Sequence, residues 1–178
     1  MSPRKKVDNS LHISILGFFI EKPNYGYDLY RSLMQNSSFN LIWHLKQSQF
    51  YAILDHFYQD GYLEIQLQDG GNYPDRKEYR LTTAGEEKFH NWVLSPVNHG
   101  REMRQEFLAK LYFALKISKE KALMLTRNQK QECFNWLSNH EEKMQGVDSY
   151  FGELMGDYRT IQMQGMLEWL KIVEDKIR

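Results

Sequence analysis

Apolar positions recur at helical spacing from Ser10, a suitable cap, through Leu11, Ile15, Leu16, Phe18 and Phe19, and Lys22-Pro23-Asn24 stops the run. A second helix is expected from about Tyr25 through Leu29, Leu33 and Met34, ending near 36–38. A third begins after His44. Leu45, Phe50, Ile53, Leu54 and Phe57 make its buried stripe, which leaves Lys46, Gln47, Ser48, Gln49 and Tyr51 nearer the open face of its first turn. Gly61 follows Asp60 where a helix ends in the left-handed conformation that glycine adopts without steric cost. Period-two alternation then takes over: Tyr62, Glu64, Gln66 and Gln68 interleave with Leu63, Ile65 and Leu67, as in a strand half-buried on one face. Residues 69–75 are rich in turn formers, 77–81 supply the return strand, and Thr82 or Thr83 caps a fourth helix reaching about Leu94.

Residues 95–100, with Pro96 and Gly100, break both periodicities and read as a linker. Beyond them the pattern is helical throughout, in three stretches at about 102–115, 119–145 and 148–177. Both long helices exceed what a compact monomer of this size needs. Along the last, Val147, Phe151, Leu154, Tyr158 and Ile161 alternate spacings of four and three. Met163, Met166, Leu170, Val173 and Ile177 resume the stripe after a shift near Gln162, so the seam is coiled-coil-like with a phase break. Gly152 and Gly156, four apart, would let another helix approach closely. The expected fold is mainly α with a small β-hairpin wing, divided into 1–95, a linker at 96–100 and a helical domain at 101–178.

A helix followed by a hairpin suits DNA, because the helix can enter the major groove while the hairpin holds phosphates. Gln47, Ser48 and Gln49 have the chemistry to read bases, or else lie solvated in a first turn. Tyr51 points into the groove or pads the surface between helices. Arg76 and Lys77 grip phosphate or serve as edge charges that block strand-to-strand aggregation. Tyr25 stands where helix amides could meet a phosphate, or staples a neighbouring helix. The chain of 178 residues has 23 Lys and Arg against 23 Asp and Glu, hence no basic field. Its cations are clustered instead, at Arg4-Lys5-Lys6, at Lys46 and at Arg76, Lys77 and Arg80.

Other chemistry is thinly represented. The longest apolar run, residues 13–20, falls far short of the roughly 20 residues of a membrane span. With no secretory cleavage pattern, a cytoplasmic location is expected. Cys133 is a lone cysteine, the histidines lack metal-ligand spacing, and no nucleophile elbow, phosphate loop or Cys/His dyad is present, so neither catalysis nor a metal or other cofactor is expected. Trp92, Trp136, Trp169, Met144, Met155, Met163 and Met166 either line an effector cavity or pack the core.

Five fragments in order carry a family resemblance. They are Ile15-Leu16-Gly17 with Tyr25-Gly26-Tyr27-Asp28-Leu29, then Ser48-Gln49-Phe50-Tyr51-Ala52-Ile53-Leu54, then Asp60-Gly61-Tyr62-Leu63, then Pro74-Asp75-Arg76-Lys77-Glu78-Tyr79-Arg80-Leu81-Thr82-Thr83-Ala84-Gly85, then Glu106-Phe107-Leu108-Ala109-Lys110-Leu111. Together they resemble the PadR family of bacterial transcriptional regulators, in particular members with a virulence-activator-like helical C-terminal domain. The resemblance implies a winged helix-turn-helix domain followed by a helical dimerisation domain. The implied function is that of a homodimeric, sequence-specific regulator of double-stranded DNA, most often a repressor, whose binding responds to a small-molecule effector. The DNA-contacting set is then Tyr25, Lys46, Gln47, Ser48, Gln49, Tyr51, Arg76 and Lys77. The dimerising set is Phe107, Leu111, Val147, Phe151, Leu154, Tyr158, Ile161, Met166, Leu170 and Val173. The neutral charge keeps open an alternative from another class, a winged-helix protein–protein adaptor that does not bind DNA.

Overall fold

The computed structural model describes residues 10–36, 38–68 and 76–178. The basic cluster at 4–6 and the turn at 69–75 lie outside the described residues. The chain forms two compact units: the first runs up to Val93 and includes Leu108–Lys110, and the second comprises Leu94–Phe107 and Leu111–Arg178.

The first unit opens with a 3-10 helix, Ser10–Phe19, followed by β1 (Asn24–Tyr25), α1 (Gly26–Asn36) and a short 3-10 turn, Ser38–Leu41. Then come α2 (Gln47–Gln59), β2 (Leu63–Gln68), β3 (Arg76–Leu81) and α3 (Thr83–Val93). The opening segment is a 3-10 helix, wound more tightly than an α-helix, and within it the Ser14 hydroxyl donates to the Leu11 carbonyl at 2.6 Å. Apolar pairs at 15–16 and 18–19 fit either winding, so periodicity does not distinguish the two. Ser10, expected as a cap, has its hydroxyl oxygen accept from the Trp92 indole N–H at 2.9 Å, tying this segment to α3.

The expected hairpin is a three-stranded antiparallel sheet in the order β1-β3-β2. Asn24 pairs with Tyr79 and Tyr25 with Glu78, while β2 and β3 pair from Leu63–Leu81 to Gln68–Arg76. Tyr25 therefore ends a strand and directly precedes the first residue of α1. Two residues are too few to show alternation, so only the pairing with β3 defines β1.

All five residues of the stripe read for α2, Leu45, Phe50, Ile53, Leu54 and Phe57, are buried. The helix ends in a Schellman motif, in which the Tyr62 amide donates to the Phe57 carbonyl at 2.8 Å and the Gly61 amide to that of Tyr58 at 3.1 Å. Gly61 has the required left-handed φ of 75°. The Phe57 and Tyr62 rings meet edge to face across the turn at 6.1 Å, completing the cap with an apolar contact. Of the two candidate caps for α3, Thr82 serves: its hydroxyl oxygen accepts from the Gly85 amide at 3.1 Å and its O–H donates to the Gly61 carbonyl at 2.7 Å. One threonine thus locks the end of α2 to the start of α3. Gly85 makes that junction possible, since a Cβ there would collide with the Tyr62 carbonyl.

The second unit contains a 3-10 turn, Gly100–Arg104, then α4 (Glu106–Ile117), α5 (Lys119–Met144) and α6 (Tyr150–Ile177). Residues 108–110 of α4 belong to the first unit. Ser118 and Ser149 cap α5 and α6 by accepting from the amides of Lys121 at 3.1 Å and Gly152 at 3.2 Å. The helices run antiparallel, with the His140 Nε2–H donating to the Gly156 carbonyl at 3.0 Å at one end and Arg127 Nε to Glu174 at 3.0 Å at the other. Glu174 also binds Arg178 Nη2 at 2.5 Å and Lys130 Nζ at 3.6 Å. The hydrogen bonds from Arg127 and Arg178 hold its carboxyl below the ordinary range. Within the stretch read as a linker, Val97 is buried in the helical core, and the Gln129 amide clamps its backbone. The Val97 N–H donates to Oε1 at 2.7 Å, and Nε2 donates to the Val97 carbonyl at 3.3 Å.

Candidate nucleic-acid interface

The start of α2 is fixed from both sides of the chain. The Tyr30 hydroxyl donates to the Leu45 carbonyl at 3.2 Å, and the Phe50 ring packs on Tyr30 at 5.5 Å. Lys46 is the N-cap, with extended backbone, and its amide donates to Gln49 Oε1 at 3.2 Å. Lys46, Gln47, Ser48 and Gln49 are all exposed and form a polar first turn on a helix whose buried stripe is Phe50, Ile53, Leu54 and Phe57. Gln49 Oε1 accepts the one bond from the Lys46 amide, which leaves its amide N–H groups and a second oxygen lone pair for base or phosphate groups. Tyr51 differs from these four. Its ring is partly buried, edge-on to Phe50, and its Cε1 lies 3.0 Å from where a Cβ on Gly26 would stand. That placement packs one side of the ring between α1 and α2 and leaves part of the side chain in solvent. Close beside it, Tyr79 is buried, and its hydroxyl is pushed above its usual pKa by burial first and then by Asp55 and Tyr51.

On the sheet, Tyr25 and Arg76 come together although 51 positions separate them in the sequence. The Arg76 guanidinium lies 4.0 Å above the Tyr25 ring and its Nη2 donates to Asp28 Oδ2 at 2.6 Å. Asp28 was not among the expected site residues. An acid in the first turn of a helix is ordinarily read as a partner of the helix dipole, and its cation is reached only through the sheet. Arg80 is likewise paired, donating to Glu78 Oε2 through Nε at 3.1 Å and Nη2 at 2.9 Å. Among the described residues, Lys46 and Lys77 are the exposed cations of this surface without an ionic partner. A helix bearing four exposed polar residues at its start, beside a three-stranded sheet, is the arrangement of a winged helix-turn-helix fold.

Residues 15–91 match the family described as the transcriptional regulator PadR-like family. This segment is a PadR-like domain. The chain is 26% identical over 122 residues to the negative transcriptional regulator PadR of Bacillus subtilis (strain 168), a match covering 68% of this chain and 66%, just under two thirds, of that protein. Among solved structures, it is similar to Bacillus subtilis PadR in complex with operator DNA, at 22% identity and a TM-score of 0.47, covering 94% of this chain and 99% of the other. A PadR-like transcriptional regulator from Bacillus cereus is 18% identical with a TM-score of 0.45, over 98% of this chain and 99% of that one.

Behind the PadR-like domain, the residues expected to dimerise fall into two classes. Phe107 and Leu170 are fully buried and Leu111 nearly so, all within the helical unit's own core. Met166 and Val173 pack against the same core. These five hold the chain's own fold, and Phe107 and Leu170 have no surface left to give a partner. Val147 precedes α6 and is half-buried beside Gly152. By contrast Phe151 is 71% exposed, Leu154 48%, Tyr158 57% and Ile161 67%. At Gly156 the helix that approaches closely is α5 of the same chain, since a Cβ there would strike Met144, whereas a Cβ on Gly152 would strike Val147.

Of the aromatic and methionine residues considered for an effector cavity, Met155 is exposed, and Trp92, Trp136, Trp169, Met144 and Met166 are packed. Trp92 lies in the first unit beneath Lys110 Nζ at 5.2 Å, and Trp169 meets Phe107 edge to face at 5.9 Å. Trp136 and Met166 pack on the helical core, and Met144 covers Gly156. Cys133 is buried, which pushes its thiol up to about 11. Among the described residues, no helix is long and apolar enough to cross a membrane.

Proposed function

We propose that the protein is a homodimeric, sequence-specific DNA-binding transcriptional repressor. The observation that carries this reading is the exposed polar first turn of α2, Lys46 to Gln49, set on a buried stripe within a PadR-like domain. In the proposal, this turn enters the major groove, Gln47 and Gln49 address base edges, and Lys46, Arg76 and Lys77 hold phosphates. Tyr25 supports Arg76 from below and Tyr51 supports the turn from behind. Residues 1–95 serve as the reader and 101–178 as the pairing domain, joined through 96–100. Repression is supported by the Bacillus subtilis relative, a negative transcriptional regulator.

Dimerisation is supported by the stripe of Phe151, Leu154, Tyr158 and Ile161, four apolar side chains standing in water on one stretch of α6. Burying each against a second copy is worth about 1.5–3 kcal/mol. A dimer would set two reading helices at a separation matched to half-sites roughly 34–36 Å apart. The resemblance further implies a small-molecule effector, which would act by binding one separation better than another.

A second reading, an adaptor that does not bind DNA, is favoured by the pairing of both wing arginines with carboxylates. Titration of the full chain against the DNA upstream of its own gene, over a salt series, separates the two. A reader binds that DNA and weakens steeply as salt rises. Retention of a protein partner with no DNA bound even at low salt would establish the adaptor.

A further inference from the structure

Arg76 is held twice. Its guanidinium face rests 4.0 Å above the Tyr25 ring, and one of its nitrogens is 2.6 Å from the Asp28 carboxylate. Both partners of the ion pair remain half in water, at 53% and 55% exposure, so a phosphate oxygen can reach the guanidinium. Asp28 lies in the first turn of α1, where backbone amides would otherwise favour an anion such as phosphate. The pair is therefore neutral at the one point where sheet and helix would both attract the DNA backbone. While Arg76 stays on Asp28 it neutralises no phosphate and releases no counterion from the DNA, so it adds nothing to the salt dependence of binding.

We propose that Asp28 is a positioning residue for DNA binding: it keeps Arg76 self-paired off DNA and restrains its grip on DNA of arbitrary sequence. The inference rests on the DNA-reading function proposed above. The ion pair is exposed, so its effect is modest, an affinity difference of about two- to fivefold.

The test is fluorescence-anisotropy titration of a labelled, mixed-sequence DNA duplex by the full chain over a salt series. The proteins compared are wild type, Asp28→Asn, Arg76→Ala, the double variant, and Glu87→Gln on α3, which changes net charge equally without touching the pair. Asparagine keeps the shape of an exposed side chain, so folding is preserved, and matching circular-dichroism melts verify it. Asp28→Asn should bind about two- to fivefold more tightly at low salt and steepen the salt slope by about 0.9, one phosphate contact. Glu87→Gln should leave the slope unchanged, and Asp28→Asn should not steepen it once Arg76 is alanine. Equal steepening in Glu87→Gln, or in the absence of Arg76, would reduce the effect to general charge and overturn the proposal. So would an Asp28→Asn protein that binds no better than wild type. If wild type and every variant fail to bind even at low salt, the DNA-reading function falls and this inference with it, whereas a normal wild type with an unaltered Asp28→Asn overturns this inference alone.

Discussion

The start of α2 with its neighbouring sheet and the first half of α6 are left by the fold in opposite conditions. Around the sheet the chain pairs its own arginines: Arg76 with Asp28 and Arg80 with Glu78. Along α6 it leaves its own apolar side chains bare, with Phe151 and Ile161 about as exposed as surface lysines usually are. An exposed ion pair costs little to hold or to exchange, whereas a row of exposed aromatic and aliphatic groups is a standing cost that a partner surface removes. The two surfaces therefore differ in what drives binding to them. The first is tuned by salt and single charges, the second by apolar area.

The largest effect should come from breaking the second surface. Phe151→Asp with Ile161→Asp places charges where apolar contact is proposed, costing about 3 kcal/mol or more and weakening self-association roughly a hundredfold. Sedimentation should then show monomers, and an unchanged dimer would refute this placement of the interface. A core change on the reading side should come next. Gly85→Ala drives a methyl into the Tyr62 carbonyl and should destabilise the first unit by about 1–3 kcal/mol, read as an earlier thermal melt. A melt equal to wild type would mean that the α2–α3 junction yields freely.

A smaller effect should separate the units by pH. Because Arg127 and Arg178 hold the Glu174 carboxyl below its usual 4.5, the carboxylate stabilises the fold above that value. That contribution is lost as pH falls through the lower, folded-state value. Glu174→Gln should therefore be less stable than wild type at neutral pH and lose less on acidification, with the gap closing below about pH 4. A constant gap across that range would show that the carboxylate's charge is not what matters. The smallest effect belongs to the sheet: Lys77→Ala, removing an unpaired cation, should flatten the DNA salt slope by about 0.9 with little change in fold. An unchanged slope would take Lys77 out of the interface.

Much of this arrangement is legible along the chain because it is local. The five-residue stripe of α2, the left-handed Gly61, the alternation of β2 and the serine caps each follow from spacing of a few residues. The exposure of Ser48 and Gln49 follows from the same stripe, whereas Lys46 and Gln47 fall on its period, four and three residues before Phe50, and are exposed at the helix start all the same. Other features escaped because their causes lie far apart in sequence. Asn24–Tyr25 is a strand only because β3 pairs with it. The seam of α6 reads as one interface from Val147 to Val173, yet its second half is consumed by the chain's own core around Phe107 and Leu170.

The sequence by itself determined the order of the elements, the helix-then-wing arrangement and the apolar period of α6, since each depends on neighbours within a turn or two. Only the tertiary structure decided which cations are already paired and which half of that apolar period is already covered. Both are questions of what comes within about 4 Å of a side chain, and for Arg76 the answer lies in residues about fifty positions away.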